Sequence, residues 1–281
     1  MHGSDPHPRN WGADRTPGAY GRGVALSAER FRALARSSPW RWRTLLFSVT
    51  WNGYATTPVR AWLARPDALR VDSVDGTLLV ATNQAPRPGS RALLTTGGGR
   101  VLADPPPAAE VAPRYDTDGL VAERPAEARY DDPIFQSYHW VAMLDPVELA
   151  DGADPHLPPG RPVDAPVLLD ELVEVDHHGR PAWQARCRPG ATYWPRCSCC
   201  ALLLSPQSDA LDSPGMPPGF VFAQAHRVRL DVQTGVCVAT EELGGTRDGW
   251  GHQMRIEMVD EAMPESLFKR PSRFRKNPFA R

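Results

Sequence analysis

Hydrophobic and polar residues alternate with a period of two along two stretches of the chain, 42–104 and 220–268, which is the pattern of strands with one buried face. In the second stretch Val228, Leu230 and Val232 alternate with Arg227, Arg229 and Asp231. Gln233-Thr234-Gly235 breaks the run, and Gly235 suits the positive φ of a short bulged hairpin. The chain returns through Val236, Val238 and Thr240, loops through Gly244-Gly245 to Gly251, and enters a third strand with Met254, Ile256 and Met258 on one face. In the first stretch Leu45, Phe47, Val49 and Trp51 face one way and Thr44, Ser48 and Thr50 the other. Asn52-Gly53 turns the chain into Val59, Ala61 and Leu63, with Trp62 opposite. Leu69 and Val71, the Asp75-Gly76 turn, Leu78 and Val80 continue the meander, and a last hairpin is expected over 91–103 around Gly97-Gly98-Gly99. That triple glycine lacks the Gly-Lys-Ser/Thr ending of a phosphate loop.

Helical periodicity is confined to two places. Ser27 is placed to cap a helix, with Glu29 at its positive end, Leu26 able to staple to Phe31, and Phe31, Leu34 and Ala35 as its apolar stripe. Pro39 is expected to end it. Asp132-Pro133 predicts a second start, with Ile134, Tyr138, Val141 and Ala142 on one face, a restart at Asp145-Pro146-Val147-Glu148 and a stop at Gly152. Leu172, Val173 and Val175, the His177-His178-Gly179 turn, and Trp183, Ala185 and Cys187 read as a further hairpin. Proline-rich loops are expected near 104–131, 151–166 and 205–218, the last as a mobile lid, and solvated tails over 1–23 and 269–281. Short strands with tight turns specify an α+β fold, and exclude a doubly wound parallel sheet. The expected architecture is a large curved antiparallel β-sheet, a half-barrel, with helices packed on its concave face, as one domain over 24–268.

The stretch 219–268 resembles the C-terminal sheet of the LolA-like superfamily, the lipoprotein-carrier fold. The strand-turn-strand RVRLDVQTGVCVATEEL is followed by a strand closing on an acidic-Pro-x-x-Leu-Phe phrase, here Asp260, Pro264, Leu267 and Phe268. The resemblance implies a non-enzymatic binding protein whose half-barrel holds an apolar small molecule, a lipid or a protein segment. Nine tryptophans are present, and Trp40, Trp42, Trp51 and Trp62 cluster in the first sheet region. Tryptophans in strands more often fill a core than line a pocket. Phe47, Trp51, Trp62, Phe135 and Tyr138 are the candidates for lining an apolar pocket.

Composition narrows the alternatives. The 281 residues carry a formal net charge of −1, which argues against wholesale nucleic-acid binding. The tail after Glu265 holds Lys269, Arg270, Arg273, Arg275, Lys276 and Arg281 without an acid, a block that would suit an anionic surface. No basic start with an apolar run opens the chain and no apolar run is long enough to span a membrane, so a cytoplasmic location is expected, unlike that of the lipoprotein carriers. Five cysteines are an odd number for a disulfide framework. Cys187, Cys197, Cys199 and Cys200 are the candidate metal ligands; thiolates suit zinc or an iron–sulfur cluster, and four of them would suffice for tetrahedral zinc. Alternation along a strand would bring Cys197 and Cys199 together and send Cys200 away. A redox pair is the other chemistry these thiols offer, and buried or loop thiols without function are the simpler account. No other cofactor is expected. His139, His177, His178, His226 and His252 are scattered, and no metal-protease or serine-hydrolase motif occurs, so an enzyme remains an unsupported third reading.

Overall fold

The computed structural model describes residues 25–54, 56–83, 105–153, 163–211 and 215–270. The tail 1–23, the hairpin expected over 91–103 and residues 271–281 of the basic tail lie outside the described residues. Helix α1 spans Ala28–Arg41, and four strands follow: Thr44–Asn52 (β1), Val59–Ala64 (β2), Ala68–Ser73 (β3) and Leu78–Thr82 (β4). Two short strands, Arg114–Tyr115 (β5) and Val121–Glu123 (β6), pair with each other. Helix α2, Tyr138–Leu144, leads to another small pair, Asp151–Gly152 (β7) with Val163–Asp164 (β8). Val167–His177 (β9), Arg180–Pro189 (β10), helix α3 at Pro206–Leu211, Ala225–Asp231 (β11), Cys237–Leu243 (β12) and Gly251–Val259 (β13) complete the order.

The two meanders join along β1 and β13, from Leu45↔Val259 to Asn52↔Gly251, with a register shift at Leu46/Phe47. The result is one nine-stranded antiparallel sheet in the order β4-β3-β2-β1-β13-β12-β11-β10-β9, which does not close into a barrel. One face is apolar because the period-two pattern puts Phe47, Val49, Ala61, Leu63, Leu69, Val71, Met254, Val228, Leu230, Trp183 and Ala185 on the same side, all buried. Helix α1 lays Phe31, Leu34 and Ala35 on that face, each fully buried. The opposite face carries Trp62, Arg229 and Arg255 and is open.

The Asp231–Gly235 turn shows why this hairpin needs its sequence. The Asp231 carboxylate accepts from the Thr234 amide and hydroxyl, each at 2.8 Å. Gly235 has φ 72°, and a Cβ there would stand 2.7 Å from the Leu34 carbonyl of α1. Only glycine lets this turn close against the helix.

Helix starts and stops are where sequence and structure part. Ser27 caps α1 as expected, its Oγ accepting from the Arg30 amide at 3.3 Å. Pro39, however, lies inside the helix, which runs to Arg41. A proline in the last turn removes only one helical bond, and Arg41 holds that turn down by donating to the carbonyls of Gln233 and Val232. The helix expected from Asp132 does not start there: the chain stays irregular to Ser137, and α2 is Tyr138–Leu144 alone. The physical reason is a stronger partner for Asp132. Its carboxylate forms a two-pronged pair with Arg65 at 2.7 Å on both oxygens, and each side chain is 6% exposed. Arg65 also stacks on Trp42 and donates to the Ser38 carbonyl, so this one guanidinium ties the 132 segment to the end of α1. Residues 147–149 form only a 3-10 turn, and Gly152 sits in β7 rather than ending a helix. The stretches expected as loops contain the 3-10 turn Ala108–Glu110, the β5–β6 hairpin, β7 and β8, and α3.

Asp132→Ala leaves the Arg65 charge buried and unpaired. The expected loss is about 3–5 kcal/mol of unfolding free energy, read by urea denaturation. A loss no larger than that of an exposed pair would mean that Arg65 finds another partner.

Candidate metal centre

The cysteine loop is built by a single buried carboxylate. Glu148 is 1% exposed, and it accepts from the Tyr193 hydroxyl at 2.6 Å, the Arg196 amide at 3.1 Å and the Leu202 amide at 2.8 Å. Arg196 and Leu202 bracket the cysteines, so one side chain clamps both ends of the loop. Tyr193 accepts in turn from the Leu203 amide at 3.1 Å. Burial pushes the Glu148 carboxyl up, against the hydrogen bonds from Tyr193, Arg196 and Leu202. Beside it Asp145, fully buried, takes the guanidinium groups of Arg124 and Arg196. Burial alone would push Asp145 up, but these arginines outweigh it and hold its carboxyl below the usual range.

Between the clamped ends, Ser198–Cys200 form a 3-10 turn in which the Cys200 amide donates to the Cys197 carbonyl at 3.3 Å. A turn, not a strand, carries the cysteines. The alternation that would send Cys200 away therefore does not apply, and the Cys197, Cys199 and Cys200 sulfurs all lie within 4.8 Å of one another. Cys197 Sγ is 2.8 Å from Cys199 Sγ, which is 3.8 Å from Cys200 Sγ. A tetrahedral zinc with bonds of about 2.3 Å spaces its sulfurs by about 3.8 Å, so the Cys199–Cys200 pair already has that spacing and Cys197 has to turn outward. Cys199 is exposed and its neighbours are half-buried, which leaves the cluster open to solvent. Burial opposes ionisation of Cys197, but hydrogen bonds from Cys199 and Cys200 win and lower it, while burial and Cys197 push Cys200 up to about 12.

Cys187 does not belong to this set. It is fully buried in β10, in the core beneath the sheet, and burial pushes its thiol far up. The β10 register places it opposite His226 and Leu169, on the apolar face. Cys187 is a small core residue.

The apolar candidates are divided between both faces and the surface. Phe47 is fully buried with its ring 5.2 Å from that of Trp140, and Phe135 meets the same tryptophan at 5.3 Å. Trp51 is half-buried against the same core. Trp62 projects from the opposite face, where Arg60 and Arg70 stack on it. Tyr138 is 43% exposed.

A polar group inside the helix-covered face has no local signal in the sequence, because its members come from four elements. His139 of α2 bonds His252 of β13 at 3.1 Å and the Ala201 carbonyl at 3.3 Å. His252 also engages Thr240 at 2.9 Å and the Cys237 carbonyl at 3.0 Å. Next in line, His226 and Glu242 are direct cross-strand partners on β11 and β12 and are 2% and 5% exposed. Both His226 ring nitrogens and Glu242 Oε2 lack a well-formed hydrogen bond among the described residues, the Leu204 carbonyl giving the imidazole only a weak one. The residue after the cysteine turn, Ala201, thus touches this interior directly.

Burial pushes His226 down to about 4, against a weaker pull from the Leu204 carbonyl, and pushes His252 down to about 3, with His139 adding to the shift. It pushes Glu242 up to about 7, against Arg247. No family model matches the chain, and no curated protein resembles it closely enough to count as a relative.

Two outcomes are expected. Glu148→Ala leaves three donors unmatched, two of them buried, and costs about 3 kcal/mol or more, with faster hydrogen exchange at Arg196 and Leu202 as the local signature. The pH dependence has two opposed parts. The two histidines have depressed values, so their contribution is intact above the ordinary 6.5 and is lost as pH falls through their folded values. Glu242 has a raised value, so its contribution is intact below the ordinary 4.5 and is lost as pH rises through 7. Glu242→Gln should therefore gain on the natural protein in thermal melts near pH 8 and not near pH 4. An equal gain at both would place the effect outside the titration.

Proposed function

We propose that the protein is a metal-binding protein whose working centre is the turn carrying Cys197, Cys199 and Cys200, and that zinc is the ion it holds. The observation that supports this most is the convergence of three sulfurs within 4.8 Å on a loop tied at both ends to Glu148. Soft thiolates select zinc over the hard cations, and a clamped loop lowers the ordering cost of binding. Among the described residues no fourth histidine, cysteine or carboxylate joins the three. The fourth position is thus for water or for a group brought by another molecule. Each thiol that ligates must give up its proton, so binding releases protons and weakens as pH falls. Loading fixes the turn, and the Ala201 carbonyl carries that constraint to His139 and on to His252. This makes the role a binding and regulatory one.

A second reading keeps the carrier role that the LolA-like resemblance implies, with an apolar molecule, a lipid or a protein segment as ligand. Its support is an aromatic group at one end of the sheet, where the Tyr54 and Trp250 rings stand 5.0 Å apart, as do those of Phe220 and Phe222. Tyr54 is 39% exposed and Val221 60%. Phe47, Phe135 and Trp140 pack on one another, so an apolar guest would belong at that end rather than beneath the centre of the sheet.

Native mass spectrometry and elemental analysis of the purified protein separate the readings. The expected result is about one zinc per chain, absent from a Cys197→Ser/Cys199→Ser variant and retained by Cys187→Ala. Protein free of metal after purification in zinc-supplemented buffer, or a double variant that keeps its zinc, would overturn the metal reading. A co-purifying lipid in the same spectrum would favour the second.

A further inference from the structure

The open face of the sheet carries a second candidate site, remote in kind from the thiolates. The β9–β10 turn bends over it: His177 Nε2 donates to the Met254 carbonyl of β13 at 2.9 Å, although β9 and β13 lie four places apart in the sheet. In a flat sheet that separation would be about 19 Å. The bend borders a broad, open cleft of about 700 Å³ walled by Arg60, His178, Arg180, Arg255, Ile256 and Glu257.

The cations of this cleft are unevenly satisfied. Arg60 gives one nitrogen to Glu257 at 2.5 Å. Arg180 gives its Nε and Nη2 to Asp231 and Gln233, which leaves Nη1. Arg229 has, among the described residues, only the neutral partners Gln184 and His177. The exposed side chain of Arg255 has no hydrogen-bond or ion-pair partner among the described residues, and all its donors remain available. Among the described residues Glu257 is the one carboxylate on the wall and is paired with Arg60, while Asp231 holds Arg180, so guanidinium donors outnumber carboxylates in the cleft. A planar fork of this kind matches the paired oxygens of a phosphate. The volume falls in the range of small-molecule sites, and the wall is polar, so an apolar ligand is the wrong match.

We propose that this cleft binds a phosphate monoester, carried on a soluble small molecule or on a lipid headgroup, with Arg255 as the principal anchor and Arg60, Arg180 and His178 as its surround. The imidazole of His178 packs edge-on against that of His177, ring centroids 4.6 Å apart, which holds it at the cleft wall. The site is independent of the metal.

Calorimetric titration with inorganic phosphate and flotation with phosphatidylcholine vesicles containing phosphatidic acid, both at one fixed ionic strength, test this. Arg255→Ala is surface-exposed and should fold. It should weaken binding about tenfold, the loss expected for one charge-assisted contact. Arg114→Ala, which removes an exposed cation paired with Glu123 outside the cleft, should leave binding unchanged. Phosphate binding lost with Arg255 supports the proposal with a soluble ligand. Flotation lost with Arg255, without phosphate binding, supports it with a headgroup. Binding in neither assay, or binding that Arg114→Ala weakens as much as Arg255→Ala does, overturns it.

Discussion

The apolar face of a nine-stranded sheet is too wide for one fourteen-residue helix to cover. Chain from 120–150 and 190–205 completes the cover, and most of it is not helical. Irregular backbone buried on an apolar face must bring hydrogen-bond partners with it, because no water is there to supply them. The buried charges meet that need. Glu148 serves the amides of Arg196 and Leu202, Arg65 serves the carbonyl of Ser38, and Ser37 accepts from the amide of Val121. Asp132 and Asp145 in turn balance the arginines that this requires. Much of the local architecture, including the cysteine turn, follows from that constraint.

The constraint also explains why chemistry gathers where it does. A loop held by a buried carboxylate has few conformations left, so three neighbouring cysteines can share one side of a turn rather than scatter. The same cover brings α2 over the end of β13, where His139 meets His252. On the opposite face no helix of the described residues lies over the central strands, and charged residues there pair across neighbouring strands, as Arg60 does with Glu257 and Arg180 with Asp231. Strong twist brings the β9–β10 turn over that face and turns a row of surface arginines into a cleft. One sheet therefore has a cluster of three sulfurs beside its covered side and a group of arginines on its other face.

Local signals hold where local physics decides. Ser27 caps a helix, Asn52-Gly53 and Asp75-Gly76 turn the chain, and the alternation through Val228 and Leu230 marks a buried face. Pro39 and Asp132 misled because each follows a local rule that a distant residue overrides, Arg41 reaching Gln233 and Arg65 reaching Asp132. Cys187 shares only its residue type with the other three cysteines, and its strand register puts it in the core. Trp62 was grouped with Phe47 by proximity in sequence, although its parity already placed it on the other face. The His226–Glu242 pair had no signal in the sequence at all, since the β11–β12 register alone makes the two neighbours.

The sequence by itself determined the antiparallel strands, their buried faces, the α+β class and the presence of clustered thiols, because each depends on residues within a few positions of one another. Tertiary structure alone decided which thiols meet, which carboxylate holds them, which histidines share the interior and where arginines converge. Those outcomes depend on the order of strands, on their register and on the burial of charges, and a side chain's partner across a sheet is set by the backbone that pairs them, not by its neighbours along the chain.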